Sequence, residues 1–249
     1  MEPVVIRGKQ YRYNLLALLA DGRAARVYRA ARSDGAEVAL RLFAPRLRDG
    51  WTHDELLAHF RASADALRSV DHPCIPKVHE IIEKPLCVVM DLVPGADLHR
   101  TLQRRSFSIS ETVNVIAQAA DLVGWLHQQG RSMGACAATR TVYDGCNANL
   151  MLTPAGVVHL ADMGDSHHNT ALFFREQIEL AALMLGMVTR NVKAFPGQAL
   201  AAAPLPGPHR AILATALSAG YPTLAEFAAA LRLAEQGETD LWRLCHYER

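Results

Sequence analysis

The sequence has no long apolar run, no paired-cysteine framework and no excess of charge of either sign. Its longest apolar stretch, near residues 178–188, is too short to span a bilayer and carries Glu179, which argues against membrane insertion. The cysteines number five, an odd count with no repeated spacing, so disulfides are not expected and a reducing, cytoplasmic setting fits. Lys and Arg total 26 against 25 Asp and Glu, a net charge of +1, which gives no electrostatic basis for binding nucleic acid or an anionic membrane surface. Met1-Glu2-Pro3 is followed by Arg7 and Lys9 without an apolar core, so no signal peptide is expected. A Walker A motif, a serine nucleophile elbow and an internal repeat are all missing. His167-His168 and the nearby cysteines match no zinc spacing and read as solvated loop residues.

What is present is ample apolar material. Half of the 249 residues are hydrophobic, enough for one large domain or two small lobes. Short apolar runs in the first ninety or so residues read as strands over 11–19, 26–31, 37–43, 78–82 and 86–92, with turns at Asp21-Gly22 and Ser33-Asp34-Gly35. Between the third and fourth of these, Leu56, Leu57, Phe60, Ala64 and Leu67 recur at helical spacing and predict a helix over 51–70. Pro94-Gly95 then breaks the pattern. Ser108-Ile-Ser-Glu111 is a capping box opening a helix to about Gln129. Thr153-Pro-Ala-Gly156 reads as a hairpin turn, 173–189 as an apolar helix, 196–208 as a loop, and 208–219 and 223–233 as further helices, with another left open for the tail. Strands followed by helices predict an α+β protein.

Asp144, Asn149 and Asp162 stand at intervals of five and thirteen (149 − 144 and 162 − 149) around that hairpin. In this spacing the sequence resembles the eukaryotic-like (serine/threonine) protein kinase superfamily, whose catalytic loop reads HRDxKxxN and whose metal-binding turn reads DFG. The likeness covers roughly Tyr11 to Leu233. It implies a bilobal protein-kinase-like fold: a five-stranded N-lobe with one helix over 1–93, and a truncated helical C-lobe over 94–249. It further implies that Asp144 accepts a hydroxyl proton, that Asn149 and Asp162 hold Mg²⁺, and that the three meet in a crevice between the lobes. Asp and Asn are also favoured turn residues, and that role stays open for Asp144 and Asn149.

By the same resemblance, Gly22 is what remains of a GxGxxG phosphate loop whose outer glycines are Ala20 and Ala25. Val27 and Ala39 would roof an adenine ring and Met151 would floor it. Met90 would be the gatekeeper, Asp91 and Val93 would meet adenine through their backbones, and Asp97 would reach the ribose. Arg41 stands where the family has its phosphate-gripping lysine in V-A-x-K, and either contacts phosphate or is a solvated strand arginine. Nine residues before His72-Pro73, Ser63 replaces the glutamate that pairs with that lysine. Leu67, Val78, Val142 and Met163 would form the family's apolar stack.

The departures fall on chemistry rather than scaffold. Tyr143 and Cys146 replace the arginine of HRD and the catalytic-loop lysine, and a helical pattern begins near Phe173, about nine residues past Gly164, with no APE motif. The late arginine that would pair the APE glutamate falls at Gly220. An insert over 131–141 precedes the catalytic loop. The chain is therefore expected to be a degenerate member: a pseudokinase acting as a regulatory or scaffolding interaction domain for protein partners, with weak or no binding of ATP and Mg²⁺. The alternative is an atypical active phosphotransferase using Asp144, Asn149 and Asp162. In a third possibility the chain binds no ligand and meets its partner through the insert or the surface beside Phe173 and Phe174. An empty site would let Arg41 pair with Asp162.

Overall fold

Runs of β-branched and apolar residues punctuated by Gly, Asp and Pro in the first third fold into an antiparallel sheet, as a computed structural model shows. The structure describes residues 4–21, 25–43, 52–133, 149–161, 163, 170–190, 196–218 and 220–246. Its chain divides into two compact units, Met1–Pro94 and Gly95–Arg249.

The first unit holds strands β1 (Val5–Arg7), β2 (Arg12–Asp21), β3 (Ala25–Arg32), β4 (Glu37–Phe43), β5 (Val78–Glu83) and β6 (Leu86–Asp91), with helix α1 (His53–Arg68) between β4 and β5. Their order is β1-β2-β3-β4-β6-β5, every pairing antiparallel. Five strands match expectation; β1 is an addition, and three residues are too few to show a period. The β3–β4 turn is fixed by Asp34, whose carboxylate accepts the Ala36 N–H at 3.1 Å and the Arg32 Nε at 2.9 Å. That pairing holds the Asp34 carboxyl down at about 2.

The pleat gives the sheet two apolar faces. One buries Tyr13, Ala30, Val38, Leu40, Cys87 and Val89. The other packs Ala25, Phe43 and Val88 against Leu56, Phe60 and Ala64 of α1. Phe60 is fully buried and meets Phe43 edge to face at 5.0 Å; burying one such ring contributes about 1.5–3 kcal/mol. Thr52 and Glu55 form a reciprocal capping box at the start of α1.

The second unit is mainly helical: α2 (Leu98–Arg104), α3 (Ile109–Gln128), α4 (Thr170–Thr189), α5 (Pro196–Ala202), α6 (Gly207–Leu217) and α7 (Leu224–His246). A small sheet orders β7 (Ala96–Asp97), β8 (Leu150–Leu152) and β9 (Val158–Leu160). Ser108 and Glu111 make the anticipated capping box on α3. Gln118 of α3 clamps the β8–β9 hairpin, donating to the Gly156 carbonyl at 3.0 Å and accepting from the Val158 N–H at 3.1 Å. α4 is buried without interruption from Leu180 to Leu185, and Phe227 and Leu231 of α7 complete the core. Gly95 has φ 129°, and a Cβ there would lie 2.2 Å from the Leu152 carbonyl oxygen, so only glycine lets the chain enter β7 so close to β8.

Two expectations need correction. Residues 196–202 form α5 rather than loop: Pro196 sits at the first helical position, where its missing N–H costs nothing, and Gln198-Ala-Leu-Ala-Ala202 are good helix formers. The helix expected over 223–233 and the further one left open for the tail are a single element: α7 runs through Leu233 to His246 with no proline to interrupt it. No helix of the described residues is long and apolar enough to cross a membrane.

Candidate functional site

On β4, residues two apart share a face, so Ala39, Arg41 and Phe43 point the same way. Register extends that face sideways: Arg41 lies between Val27 of β3 and Val88 of β6, and Ala39 lies opposite Met90. Ala39 and Met90 are buried and Val27 is half-buried. The sheet thus brings Val27, Ala39 and Met90 into one apolar strip, bordered by the exposed Arg29 of β3 opposite Ala39 and lying beside the guanidinium of Arg41.

That guanidinium is committed locally. Arg41 donates through Nη1 to Ser63 Oγ at 3.0 Å, and its Cζ lies 4.7 Å over the Phe43 ring. Ser63 is 1% exposed, on the face of α1 that packs the sheet. The count back from His72-Pro73 therefore selects the residue of α1 that meets Arg41, although neither partner is the ion-pair type. Arginine's longer stem reaches the short serine, so α1 keeps a polar tie to β4 without an acid.

Other candidates are also occupied by neighbours. Asp91, exposed at the end of β6, accepts the Lys77 N–H at 3.0 Å and meets His79 Nε2 at 2.7 Å, so its side chain serves the β5 edge. Val93 is half-buried just beyond β6. Asp97 caps α2, accepting the Arg100 N–H at 2.7 Å and pairing with Arg100 Nε at 3.2 Å. It is nonetheless a direct cross-strand neighbour of Met151, which in turn lies opposite His159. These three share one face of the small sheet. His159 was not among the sequence candidates; its only signal is its alternation with Val158 and Leu160.

Asn149 immediately precedes β8, half-buried, and its carbonyl accepts the Ala161 N–H at 2.7 Å. Gly22, Asp144 and Asp162 lie outside the described residues, as do Tyr143, Cys146, the Arg41–Asp162 pairing and most of the 131–141 insert. Leu67 and Met163 are buried and Val78 is half-buried; Val142 is also outside. Among the described residues no cluster of His, Cys, Asp or Glu could hold a metal ion.

A buried polar pair in the second unit carried no sequence signal beyond a Glu within an apolar helix. His127 Nε2 meets Glu176 Oε2 at 2.6 Å, and the Phe173 ring stacks on the imidazole at 3.7 Å. Glu176 Oε1 is buried without a partner. The next residue, Gln177, grips the Tyr221 backbone, donating at 3.0 Å and accepting at 2.8 Å. At Gly220, φ is 78° and a Cβ would lie 2.6 Å from Phe174 Cε2. The place expected to have lost an arginine is filled by the Phe174 ring.

Comparison with known proteins agrees with this architecture. A sequence model described as "Protein tyrosine and serine/threonine kinase" matches residues 13–170. Serine/threonine-protein kinase PknA of Mycobacterium tuberculosis is 30% identical over 163 residues, covering 61% of this chain and 35% of that protein. The human NUAK family SNF1-like kinase 2 is 26% identical over 162 residues, covering 64% of this chain and 24% of that protein. The chain thus spans about a third or less of the length of these curated relatives. Among solved structures, the Mycobacterium tuberculosis PknI kinase domain superposes with TM-score 0.66 at 19% identity, covering 88% of this chain and 95% of that one.

Proposed function

The chain belongs to the protein tyrosine and serine/threonine kinase family, and from that premise we propose that it is a pseudokinase, a kinase-like domain that acts by binding protein partners with weak or no use of nucleotide. The observation that carries the proposal is the Arg41–Ser63 hydrogen bond of 3.0 Å. A cation needed for phosphate is here held by a serine of α1 and an aromatic ring, so gripping phosphate would mean giving up that tie.

The fit to ATP with Mg²⁺ is partial. The strip of Val27, Ala39 and Met90 suits the flat apolar face of a purine, and Met151 beside Asp97 suits a nucleoside. The phosphate end does not fit: Arg41 is engaged, and the outer glycines of the loop around Gly22 are Ala20 and Ala25. No phosphoryl-transfer step is therefore assigned to Asp144, Asn149 or Asp162. The corner at Gly220 points the same way. Where the family would pair an arginine with its APE glutamate, Phe174 and Gln177 fill the space and lock the Tyr221 backbone.

Thermal-shift titration with ATP, with and without Mg²⁺, tests the proposal. A midpoint that barely moves at millimolar ATP is expected. A rise of many degrees at micromolar ATP would mean a competent nucleotide site and favour the active phosphotransferase.

A further inference from the structure

β1 and β2 bond to each other through alternate residues. Gly8 donates its N–H to the Tyr11 carbonyl at 2.8 Å, Leu15 donates to the Val4 carbonyl at 3.0 Å, and Ile6 lies opposite Tyr13 between them. Arg7 and Arg12 therefore face each other as a non-hydrogen-bonded pair, the kind whose Cα atoms stand only about 4.5 Å apart and whose side chains come closest. Ile6 and Tyr13 turn inward to the core, so the two arginines turn outward, and both are exposed. Like charges set directly opposite each other destabilise a ladder.

No neighbouring acid relieves that repulsion. Among the described residues, Arg7, Arg12 and the exposed Lys9 at the hairpin tip make no ion pair. The nearby carboxylates are engaged elsewhere: Asp34 pairs with Arg32 at 2.8 Å and Glu37 with Arg29 at 3.7 Å. Glu80 accepts the Tyr13 hydroxyl at 2.7 Å and the backbone N–H of Lys9. Counting Glu80 against the hairpin still leaves 3 − 1 = +2 over residues 7–12, which contain no acid. On the other side of Arg12 stands Ser33, whose N–H donates to the Arg12 carbonyl at 2.9 Å and whose hydroxyl accepts the Arg12 N–H at 3.3 Å. A row of two guanidinium forks and one hydroxyl thus crosses β1, β2 and the end of β3.

We propose that Arg7 and Arg12, with Ser33 beside them, form a binding site for a phosphomonoester dianion. Guanidinium forks bind phosphate through paired N–H donors, and one dianion offsets both charges, where a single carboxylate offsets one. The shared chemistry is that of a phosphoryl group, whether free, on a small molecule or on a phosphorylated side chain. The site requires nothing of the nucleotide site, whose Arg41 lies on β4 and is held by Ser63.

The test is thermal denaturation of the full chain at pH 8 in sodium phosphate, against sodium chloride of equal ionic strength, beside Arg7→Gln/Arg12→Gln. Phosphate is expected to raise the wild-type midpoint saturably, with an apparent affinity about tenfold or more weaker in the double variant. In chloride the double variant is expected to melt no lower than wild type, because the substitution removes a repulsion; Arg12→Gln alone is the milder variant and removes one fork. An equal effect of phosphate on wild type and variants overturns the proposal. So does a double variant that melts well below wild type in chloride, since the arginines would then serve the fold. A phosphoserine peptide and its serine counterpart, titrated in the same assay, distinguish the sources. A phosphopeptide tighter than inorganic phosphate supports a phosphorylated chain as ligand, and one no tighter supports a small phosphorylated molecule. A serine peptide that binds as well as its phosphorylated form overturns the site.

Discussion

A double-mutant cycle on Arg41 and Ser63 measures whether their contact ties α1 to the sheet. Ser63→Ala removes the acceptor of a hydrogen bond from a charged donor, a loss of about 1–2 kcal/mol at a half-buried guanidinium. Alanine returns roughly 0.5 kcal/mol in helix propensity, so the net cost is about 0.5–1.5 kcal/mol. Arg41→Ala loses the same bond plus the stacking on Phe43 at 4.7 Å, which contributes about 0.5–1 kcal/mol more, giving about 1.5–3 kcal/mol. Propensity and stacking each belong to one residue and cancel in the cycle. The coupling left is the hydrogen bond itself, about 1–2 kcal/mol, well above the ~0.3–0.5 kcal/mol within which independent sites add. Urea denaturation of wild type, both single variants and the double variant gives the four free energies. Additivity within that margin would mean that the contact does not hold α1 in place.

Gly220→Arg, which installs the family's residue, should destabilise by about 2–5 kcal/mol, part from positive φ and part from overlap with Phe174. Adding Phe174→Ala should recover the steric part alone in thermal melts; full tolerance of Gly220→Arg would show that the corner is not closed to a long side chain. Burial lowers the His72 pKa, and its Nδ1 accepts the Cys74 N–H at 3.1 Å, which requires the neutral ring. The unfolded chain then takes up the proton first, so this contribution is present above about pH 6.5 and fades as pH falls toward the lowered folded value. His72→Asn keeps an acceptor without titrating and should flatten the stability profile below pH 6.5; an unchanged slope would contradict the assignment.

Much of the fold could be read from the sequence because its signals are local. Alternation marked β2 to β6, the Leu56–Leu67 spacing marked α1, and Ser108 with Glu111 marked the start of α3. β1 escaped because three residues show no period, and α5 because Pro196 at its start and the three prolines that follow it resemble loop. At the candidate site, the likeness of residues 38–41 to V-A-x-K and the count back from His72-Pro73 put positions 41 and 63 where the family has its ion pair, and these two side chains meet. Counting could not predict how they meet, since an arginine–serine hydrogen bond depends on how far each stem reaches in three dimensions. Nor could it reveal that Asp91 and Asp97 spend their carboxylates on the β5 edge and the α2 cap, or that His127 finds Glu176 across 49 residues of chain. Long-range polar pairings of this kind leave no periodic trace.

Phosphoryl transfer from radiolabelled ATP, with Mg²⁺, onto the chain itself and onto an added basic protein tests impaired catalysis most directly, with Asp162→Ala as the reference. Wild type is expected to incorporate no more label than the variant. Label incorporated by wild type and abolished by Asp162→Ala would contradict it.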